Sequence, residues 1–404
     1  MMIKRKMSSR ERMLASLNRE EPDYTPCSFM LYGALKSRCT DYTEFIERQV
    51  NMGLDTCVEL PPRSPTVIND YYNLHGLPVH YSEKVQINEW IETLDGEERP
   101  VMIKEYHTPA GVLRTEVRQT DDWRWGNHVP FLDDYIVPRA RKHLVCEPQD
   151  LERIRFLLVP PSPEEINAFR SQSAQAILQA RKHDLLLTGG WGVGADLIGW
   201  ICGLENMILL PYDQPAFFTE LLNIVAEWNQ HRMRVVLDAG IDLYIKRAWY
   251  ENLDFFPPRS WRKYLFPILK ADADLAHERG AKFGYIITSS CMPLLNQFVE
   301  AGVDVLLGVD PHCWNLEEAK RSVGDRICFW GGVNGHLTME LGSQDDVRAE
   351  VQSAMNVLAP GGGFILSPVD NVREDTSTSQ ANVQVLIAEY QHLTGQENNG
   401  TIRN

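Results

Sequence analysis

Through the last third of the chain, short apolar runs end in small or polar residues, and an amphipathic helical stretch follows each one. Residues 282–290 (KFGYIITSS), 303–310 (VDVLLGVD), 327–334 (ICFWGGVN) and 363–371 (GFILSPVDN) are four such runs. Apolar runs of this length alternating with helices predict β-α units on a parallel sheet covered on both faces. Upstream, 185–192 (LLLTGGWG) and 243–250 (LYIKRAWY) read the same way, and 24–31 (YTPCSFML) and 56–60 (TCVEL) supply two earlier strands. Eight strands with intervening helices predict an α/β fold, a TIM-type (β/α)8 barrel. In such barrels the chemistry sits where the strands end and the following loops begin.

The rhythm breaks after the second strand. Pro61 and Pro62 stop it, and residues 101–106 and 112–118 flank a Thr-Pro-Ala-Gly turn that predicts a β-hairpin. A charged aromatic loop, 121–128 (DDWRWGNH), follows. Residues of about 61–150 therefore form an α+β excursion on a single barrel domain, with Trp123 and Trp125 placed to close over the barrel mouth. An open doubly wound sheet is the structural alternative. It would carry a nucleotide fingerprint in its first turn. The glycine-rich run at Gly189, Gly190, Gly192 and Gly194 has neither the dinucleotide nor the P-loop spacing.

Composition narrows the partners. The formal net charge of -15 over 404 residues disfavours nucleic acid and an anionic membrane surface. No apolar stretch reaches the roughly 18 residues of a membrane span, and the basic start lacks the apolar core of a secretion signal. The eight cysteines show no CxxC pair, which suits a reducing cytoplasm with most thiols acting as small buried hydrophobes.

The segment RERMLASLNREEPDYTP at 10–26 resembles the opening of the uroporphyrinogen decarboxylase superfamily. So do YLFP at 264–267, FVEAGVD at 298–304, the block GVNGHLTMELG at 332–342, residues 362–368, and Asn382. The resemblance covers most of the chain, least so in the excursion, and implies a TIM-type barrel. It also implies one of two chemistries: cofactor-free decarboxylation of a porphyrinogen, or methyl transfer to or from a corrinoid, often with zinc holding a thiol. The decarboxylase branch grips its polyanionic substrate with arginines after strand one. There this chain places Leu31, followed by Lys36 and Arg38. The thiol-methylating branch carries a His-x-Cys at the fifth strand end and a cysteine after the last strand. Here those ends read Thr288-Ser289-Ser290-Cys291 and Ser367-Pro368-Val369-Asp370. The usual zinc set is absent from these positions. A rebuilt set from Cys291, His312 and Cys313 is the only metal alternative, against the plainer reading of buried thiols and a loop histidine.

The remaining strand ends present Glu59, Trp191, Arg247, Trp249, Tyr250, Ser289, Ser290, Asp310, Asn334, His336, Asp370, Asn371 and Glu374. This is a cup with aromatic walls and hydroxyl, amide and carboxylate groups, suited to a small organic ligand. Asp370, which ends the last apolar run, is the leading acid; burial would raise its pKa and let it donate a proton. Capping the next turn is its alternative role. Together these readings predict a methyltransferase that moves a methyl group from a small O- or N-methyl compound to a corrinoid carrier protein. Asp370 or Glu374, with Tyr250 or His336, would protonate the leaving group. Glu59, Trp191, Arg247, Trp249, Ser289, Ser290, Asn334 and Asn371 would bind substrate. The alternatives are a cofactor-free decarboxylase and a non-catalytic barrel that binds a small ligand.

Overall fold

The computed structural model describes residues 6–62, 77, 80–289 and 291–396. Seven parallel strands form one curled sheet: β1 (Cys57–Leu60), β6 (Leu186–Gly192), β7 (Leu243–Arg247), β8 (Lys282–Ile286), β9 (Val305–Val309), β10 (Cys328–Asn334) and β11 (Phe364–Val369), hydrogen-bonded in that order. Seven of the eight predicted strands are present. The eighth, at 24–31, is reduced to a single parallel bridge between Cys27 and Leu366. The Ser28 amide donates to the Leu366 carbonyl, the Leu366 amide to the Pro26 carbonyl, and the Asp55 amide to the Cys27 carbonyl at 2.7 Å. The segment thus spans the gap between β11 and β1 and closes the ring. Pro26 has no N–H to give a ladder, which explains why pairing there stays so short.

Residue parity sorts the side chains. Leu186, Leu243, Ile245, Ile286, Val305, Leu307, Trp330 and Ile365 pack together inside the ring, while their strand neighbours pack outward under the helices. Met13 and Leu17 of the helix Ser9–Leu17 join the inner cluster and plug one end. That helix is fixed by a Ser8–Glu11 capping box and by Arg10 on Asp242. At the other end Met30, Leu31 and Trp249 lie against the same cluster.

The excursion is an antiparallel sheet in the order β2 (Gln86–Glu92), β3 (Val101–Thr108), β4 (Gly111–Arg118), β5 (Ala140–Lys142). The predicted hairpin is β3–β4. Trp123 and Trp125 do not close over the mouth. They are buried with Met102, Val117, Val129 and Ile136 in the excursion's own small core, because a sheet with one apolar face must bury it. Three helices follow β6, and the stretch from Pro258 to Glu278 contains a π-helical turn at Trp261–Leu265. The last helix starts from a Thr376–Ser379 capping box. No helix of the described residues is long and apolar enough to cross a membrane.

Candidate functional site

The C-terminal strand ends converge on one mouth, and a bulge shapes its aromatic wall. The β6–β7 register slips between Gly190 and Gly192, and Trp191 takes a φ of 53°. A Cβ on Gly190, at φ 118°, would lie 2.6 Å from the Ile245 carbonyl oxygen. Glycine is therefore required for the bulge that turns the Trp191 indole into the barrel. Its ring centroid lies 6.0 Å from that of Trp249. The glycine-rich run is thus a device for placing an indole, which accounts for its odd spacing.

Strand β7 supplies a buried cation to the mouth. Leu243 and Ile245 point inward, so Arg247 does too, while Lys246 points outward to a fully buried ion pair with Asp272 at 2.8 Å. Arg247 is only 3% exposed. Its Nε donates to Asp196 Oδ2 at 3.1 Å and its terminal nitrogen to Asp134 Oδ2 at 2.8 Å. The guanidinium carbon sits 4.1 Å from the Trp249 ring centroid and 4.5 Å from that of Trp200. Asp196 also accepts the amides of Trp249 and Tyr250. Burial still lifts the Asp196 carboxyl to about 6 against the pull of Arg247. Asp133, next to Asp134, is lifted to about 6 by the same cause.

Asp370 stands just past β11 with a φ of 65°, a left-handed conformation that Asp tolerates better than most residues. Burial raises its pKa, opposed mainly by the attraction of Arg373 and Arg247. The β7 and β11 ends thus share one electrostatic environment. Glu59 follows Cys57 on the inward face of β1, and its amide donates to the Tyr42 hydroxyl at 2.7 Å. Tyr250 donates its hydroxyl to Asp134 at 3.3 Å, and burial raises its pKa.

Other candidates are committed to scaffolding. The Asn334 amide nitrogen donates to Asp310, and its oxygen caps the π-helical turn Gly335–Glu340 through the amides of His336 and Leu337. The Asn371 oxygen accepts the Gly33 amide at 2.9 Å. His336 is largely exposed and pairs with buried Glu340, whose other oxygen accepts the amides of Arg373 and Glu374. Glu374 itself is exposed. The Ser289 hydroxyl is buried without a protein partner; Ser290 lies outside the described residues.

The zinc alternative does not fit these residues. Cys291 is fully buried, with its thiol pushed well up by desolvation. Cys313 is exposed, and His312 holds Glu350 at 2.7 Å. Among the described residues no three His, Cys, Asp or Glu side chains are grouped so as to hold a metal ion.

Asp134, Asp196, Trp200 and Glu340 are absent from the sequence-based set. Asp196 did leave a signal. It is the one carboxylate in Ala195–Cys202, a helix buried at every position, and a buried charge needs a partner. Asp134 left none, since its place in the mouth depends on how the excursion folds back.

Residues 123–391 match the family model described as Uroporphyrinogen decarboxylase (URO-D), and the chain belongs to that family. Among solved structures, a methyltransferase from Methanosarcina mazei is similar along 96% of this chain and 99% of its own, with a TM-score of 0.57 at 17% identity. At that identity the likeness establishes the shared barrel fold. Weaker likenesses reach D-psicose 3-epimerase from Clostridium cellulolyticum H10 (12% identity, 58% of this chain and 83% of that one, TM-score 0.33). They also reach 3-keto-D-glucoside 4-epimerase from E. coli (11% identity, 56% and 92%, TM-score 0.35). These two carry no argument about the site. No curated protein matches the chain.

Proposed function

We propose that this protein is a corrinoid-linked methyltransferase that takes a methyl group from a small O- or N-methyl compound and delivers it to a corrinoid on a partner protein. The observation that carries the reading is how the mouth's cations are disposed. A porphyrinogen with several carboxylates needs several fixed cations. At the position where the decarboxylase branch would start its clamp, Leu31 packs against the barrel's inner cluster. Arg38 is paired with Asp375, and Lys36 lies over the Tyr42 and Phe45 rings. Arg247 is buried and bound to two of the protein's own carboxylates. What remains is an aromatic cup beside the raised carboxyl of Asp370, with Arg373 as the further cation acting on it, proportioned for a small ligand. Family membership and the full-length fold likeness to a methyltransferase agree with this reading.

The corrinoid, when bound, supplies the nucleophile that accepts the methyl group. The chain's own residues do the rest. Trp191 and Trp249 exclude water and hold the substrate's apolar part. Asp370, whose raised pKa keeps its carboxyl protonated to higher pH, donates that proton to the departing oxygen or nitrogen. Glu59 orients the polar end of the substrate.

Anaerobic incubation with cob(I)alamin and a panel of aryl methyl ethers and methylamines tests the proposal. It expects methylcobalamin with at least one donor class. Absence of transfer throughout, together with carbon dioxide release from uroporphyrinogen, would replace it with the decarboxylase reading.

A further inference from the structure

Three donors of the barrel converge on a carboxylate that the barrel does not own. Trp200 Nε1 and the Tyr250 hydroxyl both donate to Asp134 Oδ1, and Arg247 donates to Asp134 Oδ2 at 2.8 Å. An indole N–H, a phenol O–H and a guanidinium N–H aimed at the two oxygens of one carboxylate make a receptor for that group. Its occupant comes from the excursion, and it is held very differently from its neighbour Asp196. Asp196 is fully buried and fixed by two backbone amides of the barrel. Asp134 is 35% exposed and sits on a connection between β4 and β5. That connection is fastened to the excursion some residues earlier, where the Val129 carbonyl accepts from buried Lys104 at 2.6 Å and the Val129 amide donates to Glu89. Beside the receptor, half-buried Trp249 presents a ring face next to Trp191.

We propose that Arg247, Trp200 and Tyr250 form a carboxylate receptor in the barrel mouth, that Asp134 fills it in the free protein, and that a small aromatic carboxylate takes Asp134's place. The exchange keeps two carboxylates on Arg247 before and after, Asp196 and either Asp134 or the ligand, so no buried charge is stranded by it. It also leaves the three donors satisfied throughout. The cost of displacing Asp134 is reduced because that side chain already touches water and moves outward into it. The inference rests on the mouth being the ligand site. It does not depend on which group is transferred there.

The probe is benzoate, with benzamide as its neutral counterpart. Calorimetry should show benzoate binding to the wild type and benzamide binding at least roughly tenfold more weakly. Hydrogen exchange of the amides at 131–137 should rise when benzoate is added, because the latch has been released. Asp134→Ala removes the internal competitor and should tighten benzoate by roughly tenfold or more, with no matching gain for benzamide. Asp134→Asn, which keeps the shape and loses the charge, should tighten it by less. It also serves in place of the alanine variant should near-UV circular dichroism show that variant unfolded. Trp200→Phe should weaken benzoate. Equal binding of benzoate and benzamide, or unchanged or weaker benzoate binding in both Asp134 variants, would overturn the proposal. These readouts need no corrinoid or methyl donor, so they fail independently of the methyltransferase reading.

Discussion

Arg247→Met tests the electrostatic heart of the mouth. Methionine roughly keeps the length and apolar stem but removes the charge, leaving the fully buried Asp196 carboxyl without its cation. Removing one partner of a buried pair costs about 3–5 kcal/mol. Asp196 keeps its two backbone amides from Trp249 and Tyr250, so the loss should fall at the lower end, about 3 kcal/mol at pH 7.5. The sign of the pH dependence follows from Asp196. Its folded carboxyl already titrates near 6, above the unfolded value, and loses an opposing influence when Arg247 goes. The folded variant therefore holds a proton that the unfolded chain has released, and its stability falls as pH rises through that window. At pH 5 both wild type and variant hold that proton in the fold, so its cost of about 1.5 kcal/mol is common to both and the deficit should shrink to well under half. Adding Asp196→Leu should restore most of it at either pH. Guanidinium unfolding followed by circular dichroism at pH 5 and 7.5 measures all three chains. An equal deficit at both pH values, or a double variant as unstable as the single one, would show that Arg247 acts by packing and refute the charge argument.

Two further outcomes follow from the same structure. Asp133 is buried, accepts the Tyr135 amide on one oxygen and has no partner on the other, with its carboxyl lifted to about 6. Ionising it costs up to about 3 kcal/mol above pH 6, and an unpaired amide in its place costs about 1–2. Asp133→Asn should therefore be more stable than wild type by about 1–2 kcal/mol at pH 7 and show no gain at pH 4.5, read by the same unfolding assay; no change with pH would sink the idea. Gly190→Ala, at φ 118° and against the Ile245 carbonyl, should cost at least about 2 kcal/mol and alter the near-UV signal of Trp191. Wild-type stability in that variant would mean the bulge does not need glycine.

Much of the barrel was legible because parallel strands buried on both faces write themselves as continuous apolar runs. Six of the later runs fall on β6 to β11 with ends shifted by a few residues. The segment at 24–31 misled because a run rich in Tyr, Phe, Met and Leu marks a buried strand but does not count amide donors, and Pro26 removes one. Of the candidate site, the strand ends alone bring Trp191 and Arg247 beside Trp249 and place Asp370 within the field of Arg247. Asn334 and Asn371 were read as binding groups by position, yet the backbone turns beside them absorb their side chains as caps. Trp123 and Trp125 were placed over the cup because an aromatic loop suggests a lid. The excursion needed them for its own core. Asp134 was out of reach because a loop residue's partner across more than a hundred positions depends on tertiary folding that no local pattern records.

The most direct measurement of the central claim is the anaerobic rate of methylcobalamin formation by wild type and Asp370→Asn, with two donors that differ in what leaves. An aryl methyl ether expels a phenoxide that gains from protonation; a quaternary N-methyl donor expels a neutral amine that does not. Methyl transfer with Asp370 as proton donor predicts wild-type activity on the ether and a loss of about 10²–10⁴-fold in the variant. It also predicts a far smaller loss on any quaternary donor the enzyme accepts. Equal losses on both donors would contradict the acid role of Asp370, and no methylcobalamin from any donor would contradict the account itself.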